Sequence, residues 1–120
     1  MQFHRYEKLE VWKKSLELTK ETYRLSEKLP KSEQFILSSQ MKRAVLSIPS
    51  NIAEGSRRTT KKDFAHFLNM AIGSAAELET QIKVAIHLNF LDNKECEYIL
   101  TLTNEIMRML NKLAEYIIKS

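Results

Sequence analysis

Turn-forming residues are scarce in this chain, because its 120 residues contain only two glycines and two prolines. A protein built from β-strands needs a turn about every 8 to 12 residues, and glycine and proline usually supply it. The scarcity therefore argues against a sheet protein. It favours an all-α protein in which long helices are joined by short connections.

Cysteine and long apolar segments are also nearly absent. The only cysteine is Cys96, so no disulfide can form within the chain, and we expect a small buried thiol in a reducing compartment. The first residues contain no apolar segment of the signal-peptide type, and no run approaches the roughly 18 apolar residues of a membrane-spanning helix. The sequence therefore predicts a cytoplasmic protein with no membrane partner.

The length of the chain corresponds to one domain. A chain of this size buries roughly two-thirds of the surface that it exposes when unfolded, so it needs neither a metal ion nor a disulfide in order to fold. We predict a single domain over residues 1–120.

The first predicted helix runs from about Glu7 to Leu29 and stops before Pro30, which lacks the amide that a continuing helix needs. It carries two apolar stripes on nearly opposite sides, whereas a surface helix in a monomer has one. We predict that the following stripe faces the core: Leu9, Trp12, Leu16, Thr19 and Tyr23. We predict that a second subunit covers the other stripe, which consists of Val11, Ser15, Leu18, Thr22, Leu25 and Leu29.

The second predicted helix begins after Ser32, which can cap its free amides, and ends near Gly55, a residue typical of helix C-caps. Its apolar face consists of Leu37, Met41, Ala44, Val45, Ile48 and Ile52. Pro49 falls within this pattern, where it removes the hydrogen bond to the Val45 carbonyl. The sequence therefore predicts one helix with a kink.

The third predicted helix begins near Thr60, because Thr60 and Asp63 have the spacing of a capping box. Its apolar face consists of Phe64, Phe67, Leu68, Ala71, Ala75, Leu78, Ile82 and Ala85. Gly73 lies in a run of small residues, at which we expect the close approach of a neighbouring backbone. A turn near Asn89 ends this helix.

The fourth predicted helix runs from about Asn93 to Ile118, with Asp92 as its cap and Glu95 at the capping-box position. One side faces the core with Ile99, Leu102, Ile106, Met109, Leu110, Leu113 and Ile117. A second apolar band contains Cys96, Leu100, Met107, Ala114 and Ile118. This band is either a loosely covered flank or part of a subunit interface. We favour an interface, because the first helix shows the same excess of apolar surface.

Four helices of this kind, each about 35 Å long, predict an antiparallel up-down-up-down bundle with a kinked second helix. The extra apolar stripes on the first and fourth helices predict that the bundle assembles with copies of itself. The predicted interface residues are Val11, Leu18, Leu25, Leu100, Met107 and Ile118.

Positive charge is concentrated in one part of the chain. The formal net charge is +4, yet the segment between Lys42 and Lys62 alone contains six basic residues and one acidic residue, Glu54. The basic residues are Lys42, Arg43, Arg57, Arg58, Lys61 and Lys62. This bias is typical of a site for an anionic partner such as RNA or DNA, and the alternative is a solvated loop that keeps the protein soluble. Aromatic residues for base stacking are missing from the segment, so we expect phosphate contacts.

Groups for catalysis do not converge in the sequence. His66 and His87 are about 30 Å apart on one predicted helix, so they cannot share a metal ion within a subunit. With glycines only at positions 55 and 73, a phosphate-binding P-loop is impossible. We predict no enzymatic activity, no cofactor and no metal. The polar flank of the second helix is interpreted as a hydrogen-bonded packing network of Gln40, Arg43, Ser47, Ser50, Asn51 and Glu54.

The segment from Gln40 to Arg58, QMKRAVLSIPSNIAEGSRR, resembles the signature of a four-helix bundle family encoded in intervening sequences of bacterial 23S ribosomal RNA genes, also labelled S23 ribosomal protein. The resemblance extends to LEVW at residues 9–12 and to FLNMAIGSAAELE at residues 67–79. It implies a ring-shaped homopentamer. It also implies kinship with the accessory variability proteins of diversity-generating retroelements, which are similar bundles that bind nucleic acid and a reverse transcriptase. The family has no established catalytic residues, and its ribosomal label reflects gene location.

Two functions remain open at this point. The first is a non-enzymatic homo-oligomer that binds nucleic acid, RNA in particular, through basic residues repeated around one rim. The second is a structural adaptor that docks a protein partner such as a nucleic-acid enzyme. Nucleic acid should co-purify with the protein under the first function but not under the second.

Overall fold

The computed structural model describes residues 5–120 and contains four α-helices. They are α1 (Glu10–Ser26), α2 (Leu37–Ser56), α3 (Lys61–His87) and α4 (Glu97–Lys119), with short 3₁₀ turns at Tyr6–Lys8 and Lys31–Glu33. Each helix packs against the next one along the chain, and α1 packs against α4, which closes a bundle of 46 × 24 × 19 Å. The described residues contain no strand, so the predicted all-α four-helix bundle is confirmed.

Helix α1 buries the stripe that we had assigned to a subunit interface. Val11 is 3% exposed, and Leu18 and Leu25 are fully buried inside their own chain. Leu16 and Tyr23, which were expected in the core, are 45% and 38% exposed. The predicted orientation of α1 is therefore wrong. Val11, Leu18 and Leu25 cannot contact a second subunit while the bundle is folded.

The buried stripe of α1 can enter the core because its polar members are small and hydrogen-bonded. Ser15 and Thr22 are fully buried, and their hydroxyls donate to the main-chain oxygens of Trp12 and Leu18, at 2.6 and 2.8 Å. These bonds satisfy the two hydroxyls, so their burial costs little. The opposite stripe carries larger rings with polar tips, and Trp12 lies half-buried at the edge of the core.

Helix α2 begins at Leu37 rather than after Ser32, because the residues between them form a 3₁₀ turn and a second turn. The side-chain amide of Gln34 donates to the main-chain oxygens of Ser26 and Leu29, at 3.1 and 2.9 Å. Ser26 is the last residue of α1, and Leu29 lies in the connection that follows it. The connection is therefore held by a side chain, and Ser32 makes no side-chain cap.

Gly55 lies inside α2, which continues through the buried Pro49 and ends at Ser56, so Gly55 is not the predicted cap. A Cβ atom at this position would lie 2.6 Å from the Cβ of Phe67. The missing side chain therefore allows α2 and α3 to approach each other closely. Close approach is also predicted along the run of small residues around Gly73. Within that run Ala71 and Ala75 are fully buried, whereas Gly73 is exposed and a Cβ there would meet nothing within 4 Å.

The predicted cap of α3 is present, whereas the predicted capping box of Asp92 and Glu95 forms but does not cap α4, whose N-cap position is Cys96. The amide of Asp63 donates to the hydroxyl oxygen of Thr60 at 3.1 Å. The amide of Asp92 donates to the Glu95 carboxylate at 2.8 Å, and the amide of Glu95 donates to the Asp92 carboxylate at 2.7 Å. This reciprocal pair precedes a turn, and α4 itself begins at Glu97.

The turn that ends α3 lies at Asn89, as predicted. Asn89 has a φ of 63°, in the left-handed region that asparagine tolerates better than most residues. The amide of Phe90 donates to the Ala85 oxygen at 2.9 Å, and the amide of Asn89 donates to the Ile86 oxygen at 3.0 Å. These are the two bonds of a Schellman motif, which satisfies the last carbonyls of the helix.

Cys96 is fully buried immediately before α4, so the predicted small buried thiol is confirmed. Burial, together with the nearby carboxylates of Glu95 and Asp92, raises the pKa of the Cys96 thiol to about 11. The thiol therefore stays protonated at neutral pH and acts as an apolar packing group.

Candidate nucleic-acid interface

One end of the bundle carries the basic connection between α2 and α3. Because neighbouring helices are antiparallel, the start of α1 and the end of α4 lie at the same end. Four cationic side chains are exposed there, and we refer to them as the basic end: Arg57, Arg58, Lys61 and Lys62. Only two acidic residues, Glu54 and Asp63, lie within this stretch of the chain, so positive charge is in excess.

Arg58 is oriented by contacts on two sides. Its Nη2 atom lies 3.3 Å from Oε2 of Glu54, one helical turn earlier, and its Cζ atom lies 4.6 Å from the centroid of the Phe67 ring. An exposed ion pair of this kind contributes less than about 1 kcal/mol, and an exposed cation–π contact contributes about as much. The guanidinium is therefore held in place weakly, and it keeps N–H groups for another anion.

Arg57 lies over an aromatic ring from a distant part of the sequence. Its Cζ atom is 5.5 Å from the centroid of the Tyr6 ring. The Tyr6 ring in turn meets the Trp12 ring edge to face, with the centroids 5.1 Å apart and the planes at 69°. Nothing in the basic segment itself signals these rings, because only the antiparallel packing of α1 on α2 brings them there. The basic segment itself contains no aromatic residue, as the sequence shows, but the fold places the Tyr6 ring beside it.

Lys61 and Lys62 occupy the first turn of α3, behind the Thr60 cap. The ammonium group of Lys61 donates to the main-chain oxygen of Ser120, which follows α4. Lys62 is exposed and has no hydrogen bond or ion pair with any residue from 5 to 120. Both cations lie at the positive end of the α3 dipole, so an anion bound beside them would relieve an unfavourable interaction.

Lys42 and Arg43 do not reach the basic end. Arg57 follows Arg43 by 14 residues on one continuous helix, which is about 21 Å along its axis. The Nζ atom of Lys42 instead lies 5.0 Å from the centroid of the Tyr23 ring, on the side of α2 that faces α1. Arg43 is exposed on a different side of the helix. The structure therefore separates the six predicted cations into a group of four and two outlying residues.

The polar flank of α2 includes a contact to α3. The hydroxyl oxygens of Ser47 and Ser74 are 2.5 Å apart across the two helices. The amide of Asn51 donates to the main-chain oxygen and the hydroxyl oxygen of Ser47, at 2.8 and 3.0 Å. These bonds agree with the packing interpretation for Ser47 and Asn51. Ser50 bonds only to a carbonyl of its own helix, and Arg43 is exposed.

The second apolar band of α4 is only partly covered. Leu100 and Met107 are half-buried against the edge of the core, whereas Ile118 is 57% exposed. Their place in a subunit interface stays a prediction. On α1, the apolar side chains open to another molecule are Leu16 and Tyr23 rather than the buried stripe.

Residues 5–120 contain neither a group of side chains that could hold a metal ion nor a helix that could cross a membrane. In that range, no three histidine, cysteine or acidic side chains are grouped so that they could hold a metal ion. His66 contacts the Phe67 ring, with the centroids 5.9 Å apart, and His4 lies outside the described residues. None of the helices in the same range is both long and apolar enough to cross a membrane.

Comparison with known proteins finds both a similar solved structure and a matching family model. The chain is similar to the crystal structure of a protein of unknown function from the S23 ribosomal protein family of Bacteroides thetaiotaomicron, with 28% identity and a TM-score of 0.80 over 87% of this chain and 97% of that one. No curated protein matches the chain. The family model for 23S rRNA-intervening sequence proteins matches residues 7–112. Since this segment is most of the 120 residues, the chain belongs to the family of 23S rRNA-intervening sequence proteins.

Proposed function

We propose that this protein is a non-enzymatic oligomer that binds nucleic acid, RNA in particular, through the basic end. The observation that carries the proposal is the joint exposure of Arg57, Arg58, Lys61 and Lys62. Among these four, Arg58 alone has an ion pair with a residue of the described range. Phosphate groups are bound by forked guanidinium groups and mobile ammonium groups, and the basic end offers two of each.

Neighbouring residues extend the positive surface. Arg5 precedes and Lys8 ends the 3₁₀ turn Tyr6–Lys8, which packs against α2. Both side chains are exposed, and Arg5 lies 4.0 Å from the Glu7 carboxylate. Binding of this kind uses phosphates, which carry no direct sequence information, so affinity should be similar for different sequences. Each phosphate neutralised releases counterions, so affinity should fall steeply as salt rises.

We propose further that the bundle assembles with copies of itself, as a pentamer according to the resemblance described above. Exposed apolar side chains support this proposal: Leu16 and Tyr23 on α1, Leu46 on α2 and Ile118 on α4 are all more than one-third exposed. A closed ring of identical subunits would repeat the basic end around one rim. Several weak phosphate contacts would then act on one strand together.

A structural adaptor is the second candidate function, and one observation favours it. Phe35 is 93% exposed and its neighbour Ile36 is 61% exposed, at the opposite end of the bundle from the basic residues. Large apolar side chains exposed in this way are typical of contacts with another protein. In this function the apolar end would dock a protein partner such as a nucleic-acid enzyme, and the basic end would only keep the assembly soluble.

The ratio of absorbance at 260 and 280 nm, measured on protein purified at low salt, distinguishes the two functions. Nucleic-acid binding predicts a raised ratio that falls after a high-salt wash. The adaptor function predicts the ratio of pure protein throughout. A protein that also fails to bind added RNA at low salt would contradict nucleic-acid binding.

A quadruple variant locates the site. Arg57, Arg58, Lys61 and Lys62 are replaced with glutamine, while Thr60 and Asp63 are kept so that the cap of α3 survives. The matched control removes the same charge from four exposed lysines elsewhere: Lys20, Lys31, Lys83 and Lys94. We expect the first variant to lose most RNA affinity with unchanged helicity and mass, and the control to lose much less. If both variants lost RNA affinity equally, the net charge of the protein would determine binding, and the position of these four cations would not.

A further inference from the structure

Two aromatic side chains lie partly exposed beside the cations of the basic end. Tyr6 and Trp12 are both half-buried, with their rings 5.1 Å apart, and we refer to them as the Tyr6–Trp12 pair. Arg57 lies over the Tyr6 ring at 5.5 Å. The Tyr6 hydroxyl has no hydrogen-bond partner among residues 5–120. The pair therefore presents aromatic surface to solvent at the point where phosphates are expected to bind.

The hydrophobic core accounts for only part of this placement. Trp12 packs against the edge of the core and stays half-buried, whereas Val11 and Leu18 lie inside the core. Tyr6 precedes α1 altogether and belongs to the short turn Tyr6–Lys8, which contains no buried residue. Because large rings are costly to leave at a surface without a partner, their position next to four exposed cations points to a ligand that has both charge and apolar faces.

Nucleic acid has both features, but only an unpaired strand exposes them together. In a duplex the faces of the bases are stacked on one another and covered. In a single strand they are free to stack on aromatic side chains or on arginine planes, which is sequence-tolerant because every base has such a face. Cationic side chains alone do not distinguish a single strand from a duplex, because both carry phosphates.

We infer that the Tyr6–Trp12 pair stacks an unpaired base, so that the basic end selects single-stranded over duplex nucleic acid. Arg57 lies over the Tyr6 ring and would contact both the base and the adjoining phosphate. This inference rests on the proposed function, because the phosphate contacts of the basic end are what bring the strand to the pair.

The intrinsic fluorescence of Trp12 can report base stacking directly, because Trp12 is the only tryptophan in the chain. Trp12 fluorescence is followed while the full chain is titrated at low salt with a short adenine-rich RNA strand, and then with a fully paired RNA duplex of the same length. We expect the single strand to quench Trp12 and to bind about 10-fold or more tightly than the duplex. The duplex should bind without quenching.

The variant Tyr6→Leu removes the stacking ring but keeps an apolar side chain. We expect its affinity for the single strand to fall about 10-fold, with affinity for the duplex and helical circular dichroism unchanged. The matched control is Tyr98→Leu, which removes another exposed ring at the start of α4, away from the basic end. Its affinities for both forms should equal those of the parent.

The possible failures can be told apart. If the parent binds both forms equally and Tyr6→Leu changes neither affinity, the stacking inference is overturned while the proposed phosphate binding stands. If Tyr6→Leu weakens both forms equally, the inference is also overturned, because the ring then only supports Arg57. If the parent binds neither form at low salt, the proposed function and this inference fail together.

Discussion

A Cβ atom placed on Gly55 would lie 2.6 Å from the Cβ of Phe67, closer than two such carbon atoms can stand. Helices α2 and α3 therefore touch at this point with the main chain of one against a side chain of the other. The same atom would also lie 3.0 Å from Cδ1 of Phe64 and 3.3 Å from its main-chain oxygen. Neither the neighbouring main chain nor a Cβ atom can move aside without shifting a helix.

Gly55→Ala should destabilise the protein for this reason. The added methyl group must push α3 away, and we expect the free energy of unfolding to fall by about 1 to 3 kcal/mol in chemical denaturation. Gly73→Ala is the matched control, since nothing lies within 4 Å of its Cβ position. That variant should be neutral or up to about 1 kcal/mol more stable, because alanine favours a helix. The same loss in both variants would contradict the close approach at Gly55.

The orientation of α1 can be tested with two leucines on the same helix. Leu18 is fully buried and Leu16 is 45% exposed. Leu18→Ala should lower the free energy of unfolding by about 2 to 5 kcal/mol, because it leaves a cavity in the core. Leu16→Ala should lower the free energy of unfolding of the monomer by less than about 1 kcal/mol. The reverse order would restore the orientation that the sequence first suggested.

Assembly should be visible by light scattering on a sizing column. We expect several times the subunit mass of 14.1 kDa, with five subunits suggested by the resemblance. Leu16→Glu and Met107→Glu place charge on the apolar surfaces of α1 and α4 and should reduce the mass. Glu115→Lys changes an exposed charged position and should not. A parent protein that stays monomeric at micromolar concentration would refute the assembly.

Cys96 should react slowly with thiol reagents in the native state. Its pKa of about 11 leaves very little thiolate at pH 8, so we expect modification at least about 100-fold slower than in denaturant. The unfolded thiol ionises first as pH rises, so the contribution of the buried thiol to stability is complete below the usual pKa of 9.0 and declines toward pH 11. Rapid stoichiometric labelling of native protein at pH 8 would show that this part of the bundle opens readily.

The local sequence determined three short-range features of the fold but not every helix boundary, since α4 begins at Glu97 rather than near Asn93. The cap at Thr60, the reciprocal pair of Asp92 and Glu95 and the turn at Asn89 are all formed by residues within a few positions of one another. Such short-range bonds depend on side-chain type and spacing, which a single sequence displays. The start of α2 was missed because its preceding connection is held by Gln34, whose partners lie at and just after the end of α1.

Only the tertiary structure decided which surfaces are inside and which residues meet. Both stripes of α1 have helical spacing, so spacing alone does not show which one faces the core. The folded bundle buries the stripe with the small residues Ser15 and Thr22, and it leaves Trp12 half-buried and Tyr23 exposed. The approach at Gly55 depends on Phe67, and the aromatic surface of the basic end depends on Tyr6, which is 51 residues before Arg57. Periodicity reports that a face is apolar, but it carries no information about the shape of the surface that will cover it. That shape exists only once four helices have packed together.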